Sequence, residues 1–545
     1  MLSPQPFIFP SNLSMTISFN NPLLSSSFLH QPLNSPTFPY VSIFFPKISN
    51  PISPNRYIPI KSITKASMES RNPTQRRSSS PRKFKPRHGT SRRSTLKKSL
   101  SQEQVDFTKP VPEDPVVGII GGGMSGLTCA LQLEKRGIRS TVFDTGIHGL
   151  GGRMGTRMID HQPLIFDHAA QFFTVTNPKF AELVDGWLKR GLVREWLGTI
   201  GELEVGGHFV PFPSKPTKYI GVNGMRPLAD SLLSQTSLVN VVRPCWVSTL
   251  EPFNGTWHLS EKGKPCGQFD AIVIAHNGKC ANRLLAASGL PLIARQMKRL
   301  ELSSIWALLA AFEDPLPTAL NAESLPFEGA FVKGVDSVSW MANNTKKLLA
   351  SDSGPECWTF FSTATFGKQN KVPQESIPTT TVDKVKEAML EGVEKALGLS
   401  KSSLQKPFFT RLQLWPPWNY RTAKQHHNPP PRPPKDLKSQ DKSAQNWGAA
   451  LPTNTPGIPC IFDPRGRAGI CGDWLLGSSL EAAAISGIAV ADQIADYFEQ
   501  GGPCTDEFAI GLHDEYKPLE GHDIGQFLGL ESVDQTTTPA LTLAT

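Results

Sequence analysis

Paired cysteines are missing from this 545-residue sequence: the eight fall at 129, 245, 266, 280, 357, 460, 471 and 504, with no C-x-x-C among them. Zinc sites need clustered ligands and small secreted scaffolds need dense cysteines, so neither class is expected, and reduced thiols are. No run of 18 apolar residues occurs, so no integral membrane span is expected. Acids are absent from residues 1–67, and no internal repeat is found, which sets solenoids aside. No His/Asp/Ser spacing singles out a nucleophile, and no catalytic residue or metal ligand is assigned.

The charge is divided unevenly. Residues 1–99 hold 15 Lys+Arg against one acid, Glu69, whereas the rest of the chain holds 41 against 46. The body is therefore mildly acidic, and the net charge of +9 belongs to the N-terminal region, which argues against a nucleic-acid footprint on the body. Residues 1–67 are rich in Ser, Pro, Phe and Asn, as in an organelle transit peptide. The first arginine is Arg56, which favours a plastid (chloroplast) address over a mitochondrial one. Residues 71–99 carry eleven basic residues and no acid, too few apolar groups to offset chain entropy. They read as a solvated spacer, with contact to RNA or a membrane surface as the alternative.

Order is expected to begin near Pro112. Val116–Ile120 is a β-run, Gly121–Gly126 a glycine turn, Leu127–Arg136 a helix closed by Gly137, and Ser140–Phe143 a second β-run. That is a βαβ unit. Further along, Phe269–Ala275 reads as an apolar strand, Ser479–Phe498 as a closing helix, and Lys424–Ser443 as a mobile Pro-rich loop.

Gly121-Gly122-Gly123-Met124-Ser125-Gly126 is a G-x-G-x-x-G between strand and helix. Gly121 permits the tight turn, Gly123 lets backbone approach a pyrophosphate, and Gly126 lets helix pack on sheet; phosphates then sit over the N–H groups at the helix start. Asp144 ends the second strand about 20 residues on, where a carboxylate takes ribose hydroxyls. These residues make a dinucleotide site.

The residues beyond Asp144 narrow the choice of dinucleotide. His148-Gly149-Leu150-Gly151-Gly152-Arg153 resembles the G-G-R segment of the FAD-dependent amine oxidase superfamily. There the arginine and backbone amides embrace the FAD pyrophosphate, a task suited to a planar donor fork; Gly152 and Arg153 are the matching residues. Phe166-Asp167-His168-Ala169-Ala170-Gln171-Phe172-Phe173-Thr174 resembles the stretch that runs along the flavin ring in renalase-like members, with Gln171 as its cofactor-binding candidate and Ala169 where those members have glycine. Independently, Ala468-Gly469-Ile470-Cys471-Gly472-Asp473-Trp474 followed by Gly477–Gly487 resembles the closing FAD motif. The resemblance assigns Asp473 to the ribityl or pyrophosphate region and points the helix beginning at Ser479 toward the flavin N1/O2 edge, where its dipole raises electron affinity. Tyr219–Leu228 is similar to the G-G-M-x-x-L segment, Val247 is the matching adenine contact, and Ala275-His276-Asn277-Gly278 replaces the usual A-x-P turn.

The resemblance implies a two-domain α/β flavoprotein of glutathione-reductase-like, amine oxidase type. A discontinuous FAD-binding domain is expected from 112–175, 218–285 and 455–500, and a mixed-sheet substrate domain from 176–217 and 286–454. Residues 68–111 are expected to be a disordered basic linker and 501–545 a C-terminal tail. The implied activity is hydride abstraction from a small-molecule substrate by FAD with reoxidation by dioxygen, the substrate being an amine or an aberrant dihydronicotinamide. A plastid desaturase or oxidase of isoprenoids or tetrapyrroles, and a non-catalytic binder on the same scaffold, remain as alternatives. Trp415, Trp418 and Tyr420 read as core aromatics or a substrate wall, His168 as a structural hydrogen-bonder, and Cys471 as inert packing.

Overall fold

The structure, a computed structural model, describes residues 103–147, 149–159, 164–276, 278–317, 325–350, 354–372, 377–415, 451–502 and 507–521. The expectations for residues 1–67 and 71–99, the loop Lys424–Ser443, His148, Asn277, Trp418, Tyr420 and the side chain of Trp415 lie outside the described residues.

The βαβ unit forms as its pattern predicts: β1 is Val116–Ile120, α1 is Met124–Lys135 and β2 is Arg139–Phe143. Val117, Ile119 and Val142 are fully buried, as expected of β-branched residues in a sheet covered on both faces. β1 lies between β2 and the strand Ala271–Ile274, all parallel. Ala468–Ile470 continues the parallel sheet beyond Ala271–Ile274, Val239–Val242 extends it beyond β2, and Ile461–Asp463 closes one edge antiparallel. Strands from three separate parts of the sequence thus share one sheet, with β1 near its middle and its glycine turn at the carboxyl end, where doubly wound sheets bind ligands.

Leu480–Glu499 is the closing helix, capped by Ser479, whose side chain accepts from the Ala482 N–H at 3.0 Å. It packs on α1 so closely that a Cβ added at Gly487 would lie 2.1 Å from the Ser125 carbonyl oxygen. Only glycine permits that approach.

The run Phe269–Ala275 is not one strand. Lys264–Phe269 is the edge of a three-stranded antiparallel sheet with Thr249–Phe253 and Thr256–Glu261, and Ala271–Ile274 belongs to the parallel sheet. Asp270 makes the corner: its N–H donates to the Val116 carbonyl and its carboxylate accepts from the Val116 N–H, both at 2.9 Å. The hairpin joining Thr249–Phe253 to Thr256–Glu261 turns at Asn254-Gly255, both at positive φ, as a two-residue turn demands.

A seven-stranded mixed sheet takes its strands from 200–211 and 305–415, in the order Phe409–Trp415, Ile305–Phe312, Glu356–Phe361, Trp340–Asn343, Gly329–Lys333, Ile200–Glu204, His208–Pro211. The helix Thr379–Ala396 buries Val385, Met389, Val393 and Ala396 in the same core as Trp306, Leu308, Trp358 and Phe360 from this sheet.

Order begins earlier than Pro112. Within the expected linker, the Val105 N–H donates to Gly289 O at 2.8 Å and the Phe107 N–H to Arg465 O at 2.9 Å, while the Phe107 ring meets Trp257 edge-on at 5.5 Å. One buried aromatic and paired backbone groups hold the segment despite its polar composition. The tail after 501 is also tied in: Ile510 exchanges two backbone hydrogen bonds with Phe462, and Leu512 is buried. Helix Pro291–Arg299, expected with the substrate domain, instead buries Ile293, Ala294 and Met297 in one core with Trp257, Phe269 and Ile272.

Candidate functional site

The glycine turn carries the geometry a phosphate group requires. Gly121 has φ +120°, and its amide donates to Phe143 O at 2.8 Å. A Cβ at Gly126 would sit 2.0 Å from Gly121 O, so α1 rests directly on the strand end. A Cβ at Gly123, by contrast, would meet nothing within 4 Å among the described residues. Gly123 is the N-cap of α1, without a side-chain cap and with no acid in the first turn. The amides of Met124 and Ser125 therefore begin a helix whose positive dipole end is left uncompensated. Asp144 is buried, accepting from the Gly122 N–H at 2.9 Å and the Gly146 N–H at 2.6 Å.

The second glycine turn lies against the first. Gly151 and Gly152 have φ +102° and +55°, and the Gly151 N–H donates to Gly122 O at 2.7 Å. Gly152–Met154 then forms one 3-10 turn that carries Arg153. Arg153 Nη2 meets Asp473 Oδ1 at 2.5 Å, joining two motifs 320 residues apart. Asp473 is set by its neighbour Gly472, whose amide donates to Ser486 Oγ of the closing helix at 2.9 Å. The Ala170 N–H donates to Arg153 O at 3.0 Å, bringing the 168–174 stretch to the same place. There Gln171 is buried; its Nε2 donates to Asp167 O at 2.8 Å and Ala169 O at 3.0 Å, while its buried Oε1 has no hydrogen-bond partner among the described residues.

An FAD pyrophosphate fits these residues. The open cradle at Gly123, the uncapped helix start and the Arg153 guanidinium supply space and donors for an anion, and the orphaned Gln171 oxygen offers an acceptor further along. Val247 is buried in one core with Phe143 and Phe269, a little beyond Val242, whose carbonyl accepts from the Asp144 N–H at 3.1 Å. Cys471 is buried, and burial pushes its thiol well above the usual range, as inert packing requires. The His168 imidazole lies over the backbone at Gly155, and its pKa is lowered to about 4 by burial first and then by Arg157 and Arg411. It is neutral near pH 7.

One cluster has no counterpart among the sequence motifs. Lys347 Nζ lies 2.9 Å from Asp167 Oδ2, and both side chains are 0% exposed. Asp167 Oδ1 also accepts from Thr156 Oγ1 at 2.6 Å and from the Met225 N–H at 3.0 Å. Asn344 Oδ1 accepts from the Asp167 N–H at 3.1 Å, and Thr359 Oγ1 donates to Asp167 O at 3.0 Å. Lys347 itself donates to Gln171 O at 3.2 Å and sits 5.6 Å from the Trp196 ring centroid. Its pKa is lowered by burial, against which Asp167 holds the charge. Asp167 stands within the Phe166–Thr174 stretch, but the run Asn343-Asn344-Thr345-Lys346-Lys347 matches none of the sequence motifs, and nothing local announces a buried cation. Glu481, within the closing motif, has a structural task that its sequence context does not suggest. Its carboxylate accepts from the Thr176 N–H and Oγ1 and from the Asn177 N–H at 2.7, 2.5 and 2.9 Å.

Among the described residues, no helix is long and apolar enough to cross a membrane, and no group of three His, Cys, Asp or Glu is placed to hold a metal.

The family of NAD(P)-binding Rossmann-like domains matches residues 119–187, and the parallel sheet with its glycine turn is that fold. Solved structures similar to the chain include cyclohexylamine oxidase from Brevibacterium oxydans IH-35A, at 14% identity and TM-score 0.48, covering 71% of this chain and 100% of that one. Putrescine oxidase bound to putrescine is similar at 11% identity and TM-score 0.47, covering 71% and 99%. A structure described as a putative protoporphyrinogen oxidase from Exiguobacterium sp. 255-15 has 13% identity and TM-score 0.42, covering 56% and 86%.

Proposed function

We propose that the chain is an FAD-dependent oxidoreductase that removes a hydride from a small organic molecule, an amine or an aberrant dihydronicotinamide, and passes the electrons to dioxygen. The observation that carries this reading is the meeting of Arg153 with Asp473 beside the uncapped start of α1. Two motifs far apart in the sequence build one cradle, more than a mononucleotide needs. FAD, when bound, supplies a flavin ring that accepts the hydride. The protein's part is to hold it: Gly121–Gly126 and Arg153 would take the pyrophosphate, Asp144 the adenosine ribose, and Asp473 the ribityl or pyrophosphate region. Gln171 and the start of the Ser479-capped helix would flank the ring.

The test is purification of the protein and of Gly123→Ala. The parent is expected to be yellow, absorbing near ~450 nm, with FAD as the released cofactor. The substitution meets open space, so the variant should fold as the parent does and lose FAD by at least about tenfold in affinity, since a methyl group fills the phosphate cradle. A colourless parent that takes up no FAD would overturn the proposal. Anaerobic mixing of loaded protein with candidate amines and dihydronicotinamide isomers then identifies the substrate by flavin bleaching. We also propose a plastid address for residues 1–67, checked by whether that segment carries a fluorescent fusion into plastids.

A further inference from the structure

Outside the cradle, two cysteines face each other. Cys245 Sγ and Cys266 Sγ are 3.9 Å apart. Cys245 is buried in the core, and Cys266 alone among the described free cysteines is partly exposed. We propose that Cys245 and Cys266 form a redox-sensitive modification site, closing to an intramolecular disulfide when a small-molecule disulfide such as oxidised glutathione is present.

The geometry favours the bond. A disulfide needs its sulfurs about 2 Å apart, so the pair must close by somewhat under half its present separation. Cys266 lies on Lys264–Phe269, the edge strand of the three-stranded sheet, whose pairing with Thr256–Glu261 is irregular at Leu259/Ser260. An edge strand with a bulged partner can yield without disturbing the parallel sheet. The Cys245 N–H donates to Asp144 O at 2.8 Å, so the bond would tie that edge strand to the residue whose carboxylate holds Gly122 and Gly146.

Exposure sets the order of events. Burial, with Cys266 and Glu261 nearby, pushes the Cys245 thiol up to about 12. Cys266 therefore reacts first: it gives its proton to solvent, and the thiolate attacks the external disulfide, whose S–S bond breaks to release one thiol. Cys245 Sγ then attacks Cys266 Sγ, and the second external thiol leaves with the Cys245 proton. Two protein thiols are oxidised by two electrons, and one external disulfide is reduced to two thiols.

The test is thiol mapping of the full chain after incubation with oxidised glutathione. Lys262 separates the two cysteines, so trypsin places them on different peptides. The expected result is one linked pair of peptides, containing Cys245 and Cys266, that separates on reduction. Cys266→Ser, at a partly exposed position, should unfold at the same denaturant concentration as the reduced parent and yield no linked peptide. The linked parent should melt on the order of 5 °C above the reduced form, because the bond restricts the unfolded chain. Alkylation of both cysteines after oxidation, a persistent glutathione adduct on Cys266, linkage to another cysteine, or a linked form that melts no higher would each overturn the proposal. None of these readouts depends on FAD.

Discussion

Replacing Lys347 by Met should turn the buried ion pair from a strut into a fault, and the size of the fault should depend on pH. Both partners are 0% exposed and 2.9 Å apart, so removal of the cation leaves Asp167 with the Thr156 hydroxyl and the Met225 N–H as its remaining donors. An uncompensated buried carboxylate costs about 3–5 kcal/mol. Its escape is to take a proton, which at pH 7 costs about 4 kcal/mol for a carboxyl with an unfolded-state pKa of about 3.9, and about 1.5 kcal/mol at pH 5. The Lys347→Met deficit is therefore about 3–4 kcal/mol at neutral pH and shrinks on acidification, because the folded variant binds a proton that its unfolded chain does not. Asp167→Asn should show the opposite slope. There Lys347 is left to shed its proton, the unfolded chain holds the extra one, and the deficit shrinks as pH rises. The assay is chemical unfolding followed by tryptophan fluorescence, for the parent, both single variants and the double variant, at pH 5 to 9. The double variant should recover about 2–3 kcal/mol relative to the sum of the singles. Single deficits below about 1 kcal/mol, additive behaviour, or slopes of the same sign would refute the reasoning.

Gly487→Ala should push the closing helix off α1 and cost about 1–3 kcal/mol in thermal unfolding, since its Cβ would fall 2.1 Å from Ser125 O. Gly126→Ala, at 2.0 Å from Gly121 O, should be worse and abolish soluble expression. His168, lowered to about 4 from an ordinary 6.5, binds no proton in the folded state where the unfolded chain does. Stability should therefore fall by at most about 3 kcal/mol as pH drops from about 6.5 to 4, and His168→Gln should flatten that part of the stability profile. Glu481→Ala should cost about 2–4 kcal/mol by stranding the Thr176 and Asn177 amides, with Glu481→Gln costing less because one acceptor oxygen stays.

The cradle was legible because its signals are local. Gly121 needs a positive φ, Gly126 must touch a strand end, Ser479 caps a helix, and each requirement writes itself into a few adjacent residues. The strand boundary at Asp270 was not legible. Apolar residues flank that acid on both sides, and the corner is made by a hydrogen-bonded partner, Val116, 154 residues away. The same holds for Phe107, whose burial depends on Trp257 and on Arg465 O. Lys347 is the extreme case. The four residues before it are polar, and its acceptor Gln171 lies 176 residues upstream, with its partner Asp167 just beyond. Buried polar residues are specified by what surrounds them in space, and no periodicity records that.

The segment from 164 to 174 lies where the local motifs meet these long-range contacts. On one side it donates a backbone bond to the glycine-turn region, Ala170 N–H to Arg153 O. On the other it is held by Lys347, Asn344 and Thr359, all from the seven-stranded sheet or the turn beside it. Gln171, between them, donates to Asp167 O and accepts at its own carbonyl from Lys347. The stretch is thus held by the glycine-turn region through a backbone bond, and by the seven-stranded sheet and its adjoining turn through buried contacts at Asp167, of which the Lys347 ion pair is charge-assisted. The fully buried ion pair lies next to Gln171, whose side chain donates to Asp167 O and whose carbonyl accepts from Lys347, so loss of the pair should let Gln171 move relative to Arg153. If so, the Lys347→Met variant at pH 5, where it is most nearly stable, should fold and yet bind FAD more weakly than the parent at the same pH. Equal affinities would confine the ion pair to a purely structural role.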